Sequence, residues 1–129
     1  MDVAEWIERY RRAWEQADAD AVVELFTENA SYRNNIFREP HVGRAAIRAY
    51  WEQATGTQSE IEVRFGRPVV ESDRVSVEWW TTMDEVDEGE LTLPGCLVLR
   101  FSPEGLCEEL REYWHFEKGR RDPPAGWGE

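Results

Sequence analysis

The sequence predicts an α+β fold, with three N-terminal helices laid over a curved, mostly antiparallel sheet. Two observations carry that prediction. Apolar residues recur at helical spacing as far as about Ala54, and from Ile61 onward they alternate with polar ones. The alternating stretches are joined by acidic segments or by Ser-Pro-Glu-Gly, the chemistry that antiparallel hairpins need.

The elements follow in chain order. From Asp2 to about Ala17, Trp6, Tyr10 and Trp14 recur every four residues with Ile7 and Ala13 beside them, which is one face of a helix. Asp18 or Asp20 can cap a second helix, AVVELF, that stops near Thr27–Asn29. A short extended piece at Ala30–Arg33 leads into the loop NNIFREPHVG, and Arg44–Ala54 forms a third helix ended by Thr55-Gly56. Ile61, Val63 and Phe65 mark a strand, followed by strands at Arg74–Thr82, Leu91–Phe101 and Leu106–Phe116. The last residues, from about 118 to 129, read as an extended tail of one domain that spans 1–129.

Composition narrows the function. Hydrophobic residues make up 41% and charged residues 33%, the balance of a globular chain. The net charge of −12 opposes nucleic acid and anionic membrane as partners. The N-terminus is a charged amphipathic helix without a signal core, which reads as cytoplasmic. Cys96 and Cys107 form no CxxC pair, and His41 and His115 lie far apart, so no metal site and no cofactor is expected. Seven tryptophans supply burial and also suit the wall of a site for flat apolar ligands.

Pairing the strands gives the candidate interior. A hairpin around Ser102–Gly105 sets Phe101 opposite Leu106, Leu97 opposite Leu110, Gly95 opposite Glu112 and Leu93 opposite Trp114. The same register sets the two cysteines on the order of 13 Å apart, too far for a disulfide. A hairpin around Val86–Asp87 sets Trp80 opposite Leu93 and Glu78 opposite Gly95. One face then carries the rows Trp80–Leu93–Trp114 and Glu78–Gly95–Glu112, with Gly95 leaving a hollow for a ligand between two carboxylates. A slip of one residue would exchange the faces.

The stretches RYRRAWEQADADAVVELFTENASY, EPHVGRAAIRAYW, GRPVVESDRVSVEW and LVLRFSPEGLCEELREYW, in that order, resemble the nuclear transport factor 2-like superfamily. Within it the chain is similar to the SnoaL-like polyketide cyclases and the ketosteroid isomerases. The resemblance implies a cone-shaped, cystatin-like roll around a deep pocket, commonly a homodimer through the outer sheet face. It aligns Tyr10 with the helical tyrosine of the ketosteroid isomerases and Trp114 with a cavity tryptophan. It places Asn34 where those enzymes have their aspartate base, and Leu97 where they have a protonated aspartate. An amide is no base and leucine donates no hydrogen bond, so ketosteroid isomerase activity is not expected.

Glu78 and Glu112 are the candidate acid and base, since a carboxyl on an aromatic inner face is desolvated and its pKa rises. The competing reading ties each into a structural network with an arginine, Tyr10 or Tyr32. Tyr10 and Tyr32 are candidate oxyanion or hydroxyl partners. Trp14, Trp51, Trp80 and Trp114, with Asn34, Phe37, Leu97 and Leu99, are candidate ligand contacts, or core packing. His41 belongs to the loop that roofs the pocket, as a proton shuttle or an exposed loop residue. The expected function is binding or general acid/base chemistry on a small hydrophobic molecule: isomerisation, dehydration, cyclisation or epoxide opening. The alternatives are a non-catalytic ligand-binding module and a dimeric interaction protein with a self-filled core.

Overall fold

The computed structural model describes residues 2–129. Helix α1 spans Val3–Glu15, and the Asp2 side chain accepts from the Glu5 amide at 3.0 Å to cap it. Its buried face is the predicted one, Trp6, Ile7, Tyr10, Ala13 and Trp14. Trp6 donates its indole N–H to the Leu25 carbonyl at 2.9 Å, which gives a buried polar group its partner. Helix α2 is only Ala19–Val23, capped by Asp18. The end of AVVELF is not helical: Phe26 already opens strand β1, Phe26–Arg33. The loop that follows contains a two-residue strand β2, His41–Val42, before helix α3 at Arg44–Thr55.

The remaining strands are β3 at Gln58–Phe65, β4 at Val69–Glu71, β5 at Arg74–Glu85, β6 at Gly89–Phe101, β7 at Cys107–Trp114 and β8 at Glu117–Lys118. The sheet runs β2-β1-β7-β6-β5-β3, with β4 on β5 and β8 on β6. Every pairing is antiparallel except β1 with β7. The helices lie on one face of this curved, unclosed sheet. Glu15 at the end of α1 accepts the Val63 amide at 2.9 Å and so fixes α1 to β3.

The two hairpins set the inner face, and one differs from expectation. Between β6 and β7 the register is Leu99 with Leu110, Leu97 with Glu112 and Gly95 with Trp114. That is two residues from the expected pairing, so the faces are retained. Between β5 and β6, Glu85 pairs with Gly89, leaving a three-residue loop with Asp87 in the left-handed region at φ 70°. The expected register set Thr82 opposite Leu91, where Met83 stands instead. That shift of one residue turns β5 over: Trp79, not Trp80, faces inward, and Glu78 faces outward.

The inner rows are therefore Val75–Leu99–Leu110, Val77–Leu97–Glu112 and Trp79–Gly95–Trp114. Gly95 leaves no hollow. A Cβ there would stand 2.3 Å from the Trp79 ring, so the missing side chain is what seats that indole.

The C-terminal tail docks on the outer face of β3 and β5. Trp80 donates its indole N–H to the Arg121 carbonyl at 2.9 Å and meets Trp127 edge-on at 5.9 Å. Arg64 lies over the Trp127 ring, and Gly128 packs so closely on Gly66 that a Cβ on Gly66 would stand 2.6 Å from it. No helix among the described residues is long and apolar enough to cross a membrane.

Candidate functional site

The open end of the helix layer meets the inner sheet rows around a small chamber of about 110 Å³. Helix α1 contributes Tyr10 and Trp14, α3 contributes Tyr50, Trp51 and Ala54, and the sheet contributes Tyr32, Trp79, Glu112 and Trp114. The rings meet mostly edge-to-face: Tyr10 with Trp51 at 5.6 Å, Trp14 with Trp51 at 5.7 Å and Trp14 with Trp79 at 5.1 Å.

Glu112 is the ionisable group of this chamber. It is 9% exposed. Tyr32 donates to its Oε1 at 2.7 Å, and the Tyr10 and Tyr32 hydroxyls lie 3.0 Å apart. With the Tyr32 proton on the carboxylate, Tyr10 donates to Tyr32, so the chain of bonds runs from α1 through β1 to β7. Among the described residues Glu112 Oε2 has no hydrogen-bond partner. Burial pushes the Glu112 carboxyl up to about 7, and the Tyr32 hydrogen bond opposes that rise. Burial, reinforced by the Glu112 charge, holds the Tyr10, Tyr32 and Tyr50 phenols well above the ordinary range. They act as hydrogen-bond donors and not as bases.

A wider vestibule of about 590 Å³ shares Tyr50, Ala54 and Gln58 with the chamber and opens past Asn34, Arg38, His41 and Glu85. His41 stacks on Tyr50 at 4.8 Å, and its Nε2 lies 3.0 Å from Asn34 Oδ1. The Asn34 carbonyl accepts the Trp114 indole N–H at 2.7 Å, so Asn34 ties the roof loop to the end of β7. A third depression, about 610 Å³, lies beside Ile36, Phe37, Cys96 and Tyr113 and reaches Glu112 and Trp114 where β1 ends opposite Arg111.

The structure thus brings Tyr10, Tyr32, Glu112, Trp14, Trp51 and Trp114 together, with His41 and Asn34 at the entrance. It separates the others. Glu78 is exposed on the outer face opposite Cys96, where it lines the third depression but not the chamber, and Trp80 is covered by the tail. Leu97 and Leu99 are core residues that do not line the chamber. Phe37, 86% exposed, lines only the outer depression. Burial and the Glu78 charge raise the Cys96 thiol, which makes it a poor nucleophile. No group of three or more His, Cys, Asp or Glu with metal-binding geometry occurs among the described residues.

Four lining residues escaped the sequence reading: Tyr50, Ala54, Gln58 and Trp79. Trp79 was hidden by the β5 register. Tyr50 stands three residues after the buried Ile47 on α3, and that helical spacing was the signal for it.

Residues 7–110 match the model of the SnoaL-like domain. The chain belongs to the SnoaL-like family. Its fold is that of the nuclear transport factor 2-like superfamily, as solved structures show. SalBIII, an epoxide hydrolase/cyclase-like enzyme with a role in pyran ring formation in the polyether salinomycin, is 26% identical with a TM-score of 0.76. The match covers 87% of this SnoaL-like chain and 89% of SalBIII. A Catenulispora acidiphila protein with a ketosteroid isomerase-like fold, in complex with trimethylamine, is 17% identical over 87% and 86% of the chains, with a TM-score of 0.78. A Shewanella denitrificans protein assigned as a SnoaL-like polyketide cyclase is 12% identical over 87% and 89%, with a TM-score of 0.74. The last two likenesses show the fold alone. A search of curated proteins gave no match in sequence.

Proposed function

We propose that this SnoaL-like chain is an enzyme that moves a proton on a small, neutral, oxygen-containing molecule, by ring closure or epoxide opening. One observation carries the reading: Glu112 is buried among aromatic rings, bonded at one oxygen by Tyr32 and free at the other. A carboxyl held near pH 7 is divided between its acid and base forms, the condition under which it can take a proton in one step and return it in the next. The likeness to SalBIII supports the choice of reaction.

In the proposed cycle the Glu112 carboxylate takes the proton of a substrate hydroxyl or of water as that oxygen bonds to an epoxide carbon. The carbon–oxygen bond of the epoxide breaks, and the Tyr50 phenol donates a hydrogen bond to the developing alkoxide. Glu112 then returns the proton to the alkoxide, so the carboxylate is regenerated and no atom is left over. The chamber admits only a compact reacting group, so the rest of the substrate lies in the vestibule.

The test is turnover of a panel of small epoxides and hydroxy-epoxides by wild type and Glu112→Gln. The variant is expected to lose at least a hundredfold in kcat/KM. Equal turnover by the two proteins would remove Glu112 from the mechanism, and no turnover of any compound by wild type would overturn the enzyme reading.

The same proposal includes a homodimer through the half of the outer sheet face that the tail leaves open. Exposed Tyr113 and Phe116 support it. Sedimentation equilibrium should give the mass of two chains, and the mass of one would refute it.

A further inference from the structure

The unpaired polar groups of the chamber wall are of two kinds. The indole N–H groups of Trp51 and Trp79 are sealed in the packing and meet no acceptor among the described residues. Gln58 is different. It opens strand β3, pairs with Glu85 across the sheet, and is only half-buried. It lines both the chamber and the vestibule, as Tyr50 and Ala54 do, and so stands at the neck between the two.

The orientation of the Gln58 amide follows from chemistry. The Trp14 indole donates to Gln58 Oε1 at 3.3 Å. An indole N–H only donates, so the carbonyl end of the amide has to face Trp14. Trp14 is itself held edge-on by Trp51 at 5.7 Å and by Trp79 at 5.1 Å, which gives the amide a fixed anchor. The Nε2 end keeps two protons and has no acceptor among the described residues. Unlike the two indole nitrogens, it is not closed off.

The proposed cycle employs Glu112 and Tyr50 and leaves this donor unused. Size decides which part of a substrate meets it. An apolar cavity of about 150 Å³ holds benzene. A chamber of about 110 Å³ is filled by an epoxide ring with a very short arm. The neck is then reached within about two bonds of the ring.

We propose that Gln58 is a specificity residue, whose Nε2 donates to an acceptor oxygen carried one carbon away from the reacting ring, on the arm that leads into the vestibule. Ether, carbonyl and hydroxyl oxygens all accept, so each serves, and hydroxy-epoxides fit the same site. A plain alkyl arm leaves the donor without a partner. This rests on reading the chamber as the substrate site and names the substituent that the substrate bears.

Two pairs of compounds test it, each pair alike in shape and differing in one oxygen. Cyclopropylmethyl methyl ether and propylcyclopropane carry an unreactive ring in place of the epoxide. Titrated into wild-type protein, the ether is expected to move the Gln58 side-chain ¹H–¹⁵N resonances downfield, saturably, and the hydrocarbon to cause no downfield shift. The amide is assigned through its bonds to the Gln58 backbone, so this measurement needs no variant.

Methyl glycidyl ether and 1,2-epoxypentane are the reactive pair. Gln58→Glu keeps an acceptor for Trp14 and loses the donor. It should lower kcat/KM for the glycidyl ether about three- to tenfold relative to 1,2-epoxypentane, chiefly through KM. A residue that only braced Trp14 would affect the two substrates equally.

The inference is overturned if the ether leaves the Gln58 amide in place, if the hydrocarbon moves it as far downfield, or if Gln58→Glu changes both epoxides by the same factor. A saturable amide shift without epoxide turnover would sink the proposed reaction alone. Turnover in which Gln58→Glu alters no preference would sink this inference alone.

Discussion

Glu112 couples the proposed chemistry to stability, and the sign can be worked out. Its carboxyl titrates near 7 in the folded chain, against an ordinary value of 4.5. Between those two values the folded state holds a proton that the unfolded state has released, so stability falls as pH rises. The favourable contribution is fully present below about 4.5 and is lost as pH passes through about 7. The shift corresponds to at most about 3 kcal/mol. Glu112→Gln removes the ionisation and can still accept from Tyr32. It should therefore be more stable than wild type at pH 8, with the difference shrinking to nothing near pH 4. Urea unfolding across that range checks it, and a variant less stable than wild type at pH 8 would refute it. Tyr32→Phe acts in the opposite sense on the carboxyl. Losing the hydrogen bond that opposes the rise should move the Glu112 titration, followed by carbon NMR, further above 7. Gly95→Ala makes a steric case at the same scale. The Trp79 ring occupies the place of the new methyl group, and the misfit should cost about 1–3 kcal/mol in the same unfolding experiment.

At the scale of elements, the tail and the β5–β6 hairpin decide which tryptophans are structural. Trp127 covers Trp80 and lies under Arg64, so its removal uncovers the outer face of β5 without touching the chamber. Trp127→Ala should lower the unfolding free energy by about 1–2 kcal/mol and shift emission to the red as Trp80 meets water. Epoxide turnover should be unchanged in that variant, since Trp80 and Trp127 meet on the outer face of the sheet.

The hairpin also explains what the sequence could and could not reveal. Helix α1 was legible because three aromatic residues at four-residue spacing admit one face only. The faces of β6 and β7 were legible because an error of two residues in register leaves every side chain on its own side. The face of β5 was not. Its hairpin turns on Asp87 in a left-handed conformation, and nothing in the acidic stretch between Thr82 and Leu91 fixes the register to a single residue. That single residue exchanged Glu78 for Val77 and Trp80 for Trp79 on the inner face. Helix α2 was overread for a related reason: Leu25 and Phe26 suit a helix locally, but Phe26 pairs with Cys107 in the sheet. The Tyr10–Tyr32–Glu112 chain joins residues 22 and 80 positions apart, a closure that helical or strand periodicity cannot signal.

For the whole molecule, the net charge of −12 sets the field in which any ligand arrives. That field disfavours anionic substrates and agrees with a neutral one. It also acts on the fold, where two effects oppose each other. Ion pairs such as Arg11 with Glu8 and Glu15, and Arg120 with Glu62, are weakened by salt, but they lie at or near the surface, where each contributes little. The repulsion among the excess carboxylates is summed over the entire surface, and salt relieves it over distances beyond about 10 Å. The repulsion should win. Raising sodium chloride from about 0.02 M to about 0.5 M should stabilise the chain on the order of 1 kcal/mol, which is about 3–5 °C in Tm. The measurement belongs at pH 8, where Glu112 is ionised in both folded and unfolded chains and its own titration does not intrude. A Tm that falls with salt would mean that the paired charges outweigh the unpaired ones, and the Arg11 and Arg120 pairs would then be the first to remove.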